Sequence, residues 1–147
     1  MNVNKGYTLV EVIVALAIMA IVGLMTTSLY LSITGYRTRK NEISNIKNNI
    51  HNIHEVYLSD PENWESVYYG IHGMPKSDFY ENGSGSKVLY YSQHFANLVD
   101  YETNYAIYYT YYYDESSQTY QLTIDRITRK DKSLDSNINF GRWVKTS

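Results

Sequence analysis

Between Val12 and Tyr36 no side chain carries a charge, a run of 25 residues. As a helix rising ~1.5 Å per residue, such a run extends roughly 37 Å, more than the ~30 Å hydrocarbon core of a bilayer. Its first part, Val12 to Met25, holds no polar side chain at all. From Thr26 onward, Thr26, Thr27, Ser28, Ser32 and Thr34 soften the composition. The core helix of a soluble domain keeps a polar face, so length and composition together favour a membrane-spanning helix.

The rest of the 147 residues bounds the alternatives. Thirteen basic against 15 acidic side chains leave a net charge of −2, which excludes a basic chain built to coat DNA and an acidic disordered tail. With no cysteine there is no disulfide framework, thiolate metal site or cysteine nucleophile. A secretory signal peptide would carry a basic start, a 7–15-residue apolar region and a small-x-small exit. Here the apolar region is longer, Ala20-Ile21-Val22 offers no clean exit, and Glu11 abuts the run. A carboxylate at that depth costs ~2.5–3.5 kcal/mol on insertion scales, which marks Glu11 as a functional candidate rather than a residue resting at the headgroup level.

The string Lys5-Gly6-Tyr7-Thr8-Leu9-Val10-Glu11 resembles the N-terminal processing site of the type IV pilin and pseudopilin family. There, a short leader ends in Lys/Arg-Gly and is followed by an aromatic residue, Thr-Leu-Val/Ile-Glu and a long apolar helix. The resemblance implies cleavage between Gly6 and Tyr7 by prepilin peptidase, recognition of Lys5-Gly6, and N-methylation of Tyr7. It implies an assembly role for Glu11, which becomes the fifth residue of the mature chain. It also implies partners: other pilin or pseudopilin subunits, the prepilin peptidase and an inner-membrane assembly platform.

The physics of the motif stands beside the resemblance. Glycine suits a protease pocket because it lacks Cβ and lets the backbone approach. Cleavage there leaves an α-amine on Tyr7, four residues before Glu11. Each charge is costly alone near lipid, whereas paired between neighbouring subunits they offset one another. Removing one member of a buried pair costs ~3–5 kcal/mol, so such pairing would enforce the axial register of stacked helices.

Two features depart from the simplest pattern. Lys5 and the initiator amine flank one end of the run, but Arg37, Arg39 and Lys40 flank the other, so charge counting alone would invert the orientation. The processing motif overrides the count, because its peptidase acts on the cytoplasmic face. Many major pilins also carry a proline midway along this helix; here Gly23 is the one weak point, at ~1 kcal/mol relative to Ala.

Beyond Arg37-Thr38-Arg39-Lys40, a polar boundary whose side chains can snorkel to lipid phosphates, Ile43, Ile46, Ile50, Ile53 and Tyr57 form a helical stripe. Asn41, Ser44, Asn45, Lys47, Asn48, Asn49 and Asn52 read as its polar surroundings. Pro61 ends the helix near Ser59. From Tyr7 to Leu58 the chain then forms one shaft of roughly 75–80 Å. His51, His54 and Glu55 read as a solvated face with a His51–Glu55 contact rather than a metal site.

Residues 60–147 hold 8 basic and 12 acidic side chains, a net −4 that argues against direct nucleic-acid binding. Tyr105–Tyr113 and Thr119–Thr128 predict an antiparallel hairpin around Asp114-Glu115-Ser116-Ser117-Gln118. Lys87–Ser92, after the loop Glu81–Ser86, predicts a third strand, and Phe140–Lys145 a last short one. The many tyrosines fit a half-buried sheet, rings inward and hydroxyls at the rim, better than a sugar- or surface-binding platform; Tyr108 and Tyr112 are the outward pair. No Walker A loop, nucleophile elbow or dinucleotide fingerprint occurs, and no catalytic, cofactor or metal residues are assigned.

The expected architecture is therefore α+β and pilin-like, a long N-terminal helix packed on a small antiparallel sheet. Residues 1–6 form the leader, 7–58 the helix with its transmembrane part at about 9–32, and 59–147 the head. The expected function is non-enzymatic: a minor pilin or pseudopilin of a bacterial type IV filament, first a single-pass membrane precursor and then part of a surface or wall-spanning fibre. Two alternatives stay open: a signal-anchored protein with an independent binding or enzymatic head, and a secreted protein cut after the apolar run.

Overall fold

The computed structural model describes residues 8–74, 85–129, 132–133 and 141–146. Lys5, Gly6 and Tyr7, the loop residues Glu81–Ser84 and the expected strand start at Phe140 lie outside them. One helix, α1 (Leu9–Ser59), serves two units, Met1–Lys40 and Asn41–Ser147. In the first unit its described residues are exposed without exception. The apolar run packs on nothing within this unit, and α1 is long and apolar enough to cross a membrane.

The second unit is α+β and pilin-like: its stretch of α1 packs on one antiparallel sheet. The described strands are β1 (Gly85–Tyr91), β2 (Leu98–Val99), β3 (Tyr105–Asp114), β4 (Thr119–Arg129), β5 (Lys132–Ser133) and β6 (Arg142–Thr146). They run in the order β2-β1-β3-β4-β5, with β6 also pairing β4. Ile46, Ile53 and Tyr57 of α1 are fully buried against Leu89, Ile107, Leu122, Ile124 and Ile127 of the sheet. Fully burying one such aliphatic side chain is worth ~1.5–3 kcal/mol, so this seam contributes strongly to the head's stability.

The β3–β4 hairpin closes over residues 115–118. Asp114 Oδ1 accepts from the Ser116 amide at 2.9 Å and Ser116 Oγ at 2.6 Å, while Ser117 Oγ donates to Oδ2 at 2.7 Å. These bonds, the Ser116 side chain first, hold the Asp114 carboxyl below its usual range. Tyr108 pairs with Arg126 but Tyr109 with Ile124, a bulge that leaves Asp125 extra. The phase of β4 therefore flips. Simple alternation along Thr119–Thr128 carries Arg126 with Leu122 and Ile124, yet Arg126 is exposed and Ile127 is buried in its stead.

A second helix, α2 (Trp64–Ile71), was not evident in the sequence pattern. It ends in a Schellman motif: Met74 N donates to Tyr69 O at 3.0 Å and Gly73 N to Gly70 O at 3.0 Å, with Gly73 at φ 70°. At Gly141 the constraint is the space that the Trp143 ring takes. A Cβ there would sit 2.0 Å from the Trp143 ring.

Candidate functional site

Thr8 and Glu11 begin α1 with reciprocal hydrogen bonds. The Glu11 amide donates to Thr8 Oγ1 at 3.3 Å, and the Thr8 amide and hydroxyl donate to Glu11 Oε2 at 2.8 and 3.1 Å. This is a capping box, which satisfies two donors that the first turn otherwise orphans. The Glu11 carboxylate also lies at the positive end of the helix dipole, where an anion is favoured. Thr8 lies outside the residues the processing motif assigns a role; its signal in the sequence is the spacing Thr-x-x-Glu ahead of an apolar run. Glu11 heads a shallow groove lined by Val12, Ala15, Leu16 and Met19.

Farther along the run the threonine hydroxyls are satisfied within the helix. Thr26, Thr27 and Thr34 donate to the carbonyls of Val22, Gly23 and Tyr30 at 2.8, 2.9 and 2.8 Å. Threonines bonded in this way can meet lipid or an apolar helix without an unsatisfied hydroxyl.

The head buries its charges in pairs. Glu65 of α2 receives Lys87 Nζ at 2.8 Å and the Tyr109 hydroxyl at 2.7 Å. Glu42 of α1, 3 % exposed, accepts from Arg129 at 2.5 Å, with His94 Nδ1 at 3.6 Å. Asn49, expected on the polar surround, is buried and donates to the Phe95 carbonyl at 2.9 Å; Asn45 donates to that of His94 at 3.0 Å. His94 and Phe95 both take left-handed backbone, φ 60° and 57°, which costs energy for residues other than glycine. Two helix amides bind the carbonyls of this 3-10 turn (Gln93–Phe95) and hold it in place.

These clusters are neutralised and enclosed, and the tyrosines around them are structural. Burial pushes Tyr57, Tyr68 and Tyr69 up to about 12 and Tyr91 well above its ordinary value. Tyr57 donates to the Tyr120 carbonyl at 2.5 Å, joining α1 to β4. Of the expected outward pair, Tyr112 is 52 % exposed, while Tyr108 lies 4.2 Å beneath the Arg126 guanidinium. His54, expected on a solvated face, is half-buried and stacks on Trp143 at 4.8 Å. Among the described residues no three His, Cys, Asp or Glu gather as metal ligands.

The family model for the prokaryotic N-terminal methylation motif matches residues 1–27. That segment ends inside the exposed apolar part of α1, and it includes Thr8 and Glu11. The chain thus carries the type IV pilin-type prepilin cleavage motif, ahead of a pilin-like α+β arrangement. The match is confined to those 27 residues; the motif there is similar to that of pilin- and pseudopilin-type precursors, and helix and motif together fit a membrane-anchored precursor. No curated protein and no solved structure matches the chain.

Proposed function

We propose that this chain is a structural subunit, a minor pilin or pseudopilin, of a bacterial type IV filament system. The observation that carries the reading is the methylation motif running directly into an exposed apolar helix. The precursor spans the inner membrane through about residues 9–32, with the leader 1–6 on the cytoplasmic side and the head, 59–147, on the other. Prepilin peptidase recognises Lys5-Gly6, cuts between Gly6 and Tyr7, and the Tyr7 amine is methylated. The assembly platform then transfers the subunit from lipid into a fibre of other pilin or pseudopilin subunits, on the cell surface or across the wall.

Glu11 is the assembly residue. A carboxylate has about four acceptor positions, so Oε2 can keep its bonds to Thr8 while Oε1 receives the Tyr7 amine of a neighbouring subunit. In a low-dielectric surround that pair is strong, and a subunit displaced along the axis would leave both charges unpartnered. The groove below Glu11, between Val12 and Met19, gives the neighbour's apolar terminus a surface to rest on.

Immunogold labelling of sheared surface fibres tests the filament reading. Label along fibres that disappears from a peptidase-deficient strain supports it. Label confined to the membrane in both strains favours the signal-anchored alternative.

A further inference from the structure

We propose that Arg37, Arg39 and Lys40 form a collar that binds the phosphates of anionic phospholipid headgroups. The proposal rests on the apolar run lying in lipid, but not on cleavage or fibre assembly. Three cations fall within four residues, all exposed, directly after 25 residues without a charge. Arg37 stands 26 residues beyond Glu11, about 39 Å along a helix at the usual rise. The hydrocarbon core is ~30 Å thick, so with Glu11 held just inside one face of it the collar falls among the headgroups beyond the other. Tyr30 and Tyr36, 69 % and 71 % exposed, sit where interfacial tyrosines are enriched.

Most cations of the head whose side chains are described have a partner, Lys47 excepted. In the head, Lys87 meets Glu65, Arg129 meets Glu42, Arg142 meets Gln121, Lys145 meets the Leu58 carbonyl and Arg126 covers Tyr108. Among the described residues, Arg37, Arg39 and Lys40 make no ion pair or hydrogen bond through their side chains. Their placement also selects the partner. At ~100° per residue, Arg39 and Lys40 point roughly 200° and 300° around the axis from Arg37. A protein would neutralise one flank of such a ring, whereas a headgroup layer surrounds the helix and reaches all three. An anionic surface attracts each nearby Lys or Arg by ~1 kcal/mol, equivalent to about fivefold per residue.

The test uses the full chain in bilayers of phosphatidylcholine with one-third phosphatidylglycerol. Spin-labelled lipids report which headgroup occupies the first shell around the helix. The unaltered chain should prefer phosphatidylglycerol over phosphatidylcholine several-fold, and 1 M salt should weaken that preference. R37Q/R39Q/K40Q should abolish it, while R37K/R39K/K40R should keep it; circular dichroism on each variant checks that the helix is intact. Equal occupancy of both lipids around the unaltered chain overturns the proposal. So does a preference that survives in the glutamine variant, which would trace it to Lys5 or the amino terminus. A glutamine variant that weakens only self-association, with lipid occupancy unchanged, would assign the collar to an acidic neighbouring head and likewise overturn it.

Discussion

Arg129, at the end of β4, binds Glu42 of α1 at 2.5 Å although 87 residues separate them. The contact joins helix to sheet at one end of the seam that Ile46, Ile53 and Tyr57 bury. Because Glu42 is enclosed, losing Arg129 leaves a buried carboxylate facing the His94 ring at 3.6 Å.

Arg129→Met should therefore destabilise the head by about 2 kcal/mol. That is below the ~3–5 kcal/mol of a fully buried pair, because Arg129 is itself 38 % exposed. Glu42→Gln should cost a similar amount, and the double variant less than the sum. Urea unfolding of the four proteins measures the coupling; strictly additive losses would show that the two residues act independently.

Tyr109 and Tyr112 separate the buried tyrosines from the exposed ones. Tyr109→Phe removes a hydrogen bond to the buried Glu65 carboxylate and should cost about 1.5–3 kcal/mol. Tyr112→Ser, on the outward face, should stay within about 0.5 kcal/mol. Its effect on filament adhesion, with assembly unchanged, tests the sugar-binding alternative: unaltered adhesion excludes Tyr112 as a ligand platform.

Alkaline pH should unfold the head in one step. Tyr57, Tyr68 and Tyr69 ionise near 10 once unfolded but only at about 12 when folded, and burial pushes Tyr91 in the same direction. The unfolded chain then binds fewer protons than the folded one above pH 10. Stability is complete below that value and falls as pH rises toward 12. Tyrosinate absorbance and circular dichroism should change together in that window. Ionisation of all tyrosines at pH 10 with the ellipticity intact would contradict the buried hydroxyl network.

Much of this architecture could be read from the residues, because the signals were local. The uncharged run announced α1, and the β3–β4 hairpin followed from alternating strand formers around an Asp-Ser-rich turn. What escaped notice depends on partners distant in sequence. Asn49 looks polar on a helical wheel, yet its buried amide is satisfied by the Phe95 carbonyl 46 residues away. Ile127 turned inward because a bulge near Asp125 shifted the phase, and nothing in Thr119–Thr128 marks one. Trp64–Ile71 is helical without a repeated apolar period because eight residues are too few to display one. The Thr8–Glu11 box is legible in the spacing Thr-x-x-Glu, because a capping box needs only residues three apart.

Thr8 allows capping to be separated from pairing. Thr8→Ala should weaken the first turn by about 1 kcal/mol, seen as faster amide exchange at the start of α1, and Thr8→Ser should restore it. Glu11→Ala loses both the cap and the proposed intersubunit partner. It should be cleaved normally but enter fibres poorly, more poorly than Thr8→Ala. Equal incorporation of the two variants would reduce Glu11 to a capping residue.

The most direct measurement is the N-terminal sequence and intact mass of the chain recovered from native fibres. A chain that begins at Tyr7 and carries one added methyl group is the predicted result. A chain in the fibre that still begins at Met1, or that begins beyond residue 25, would contradict the account.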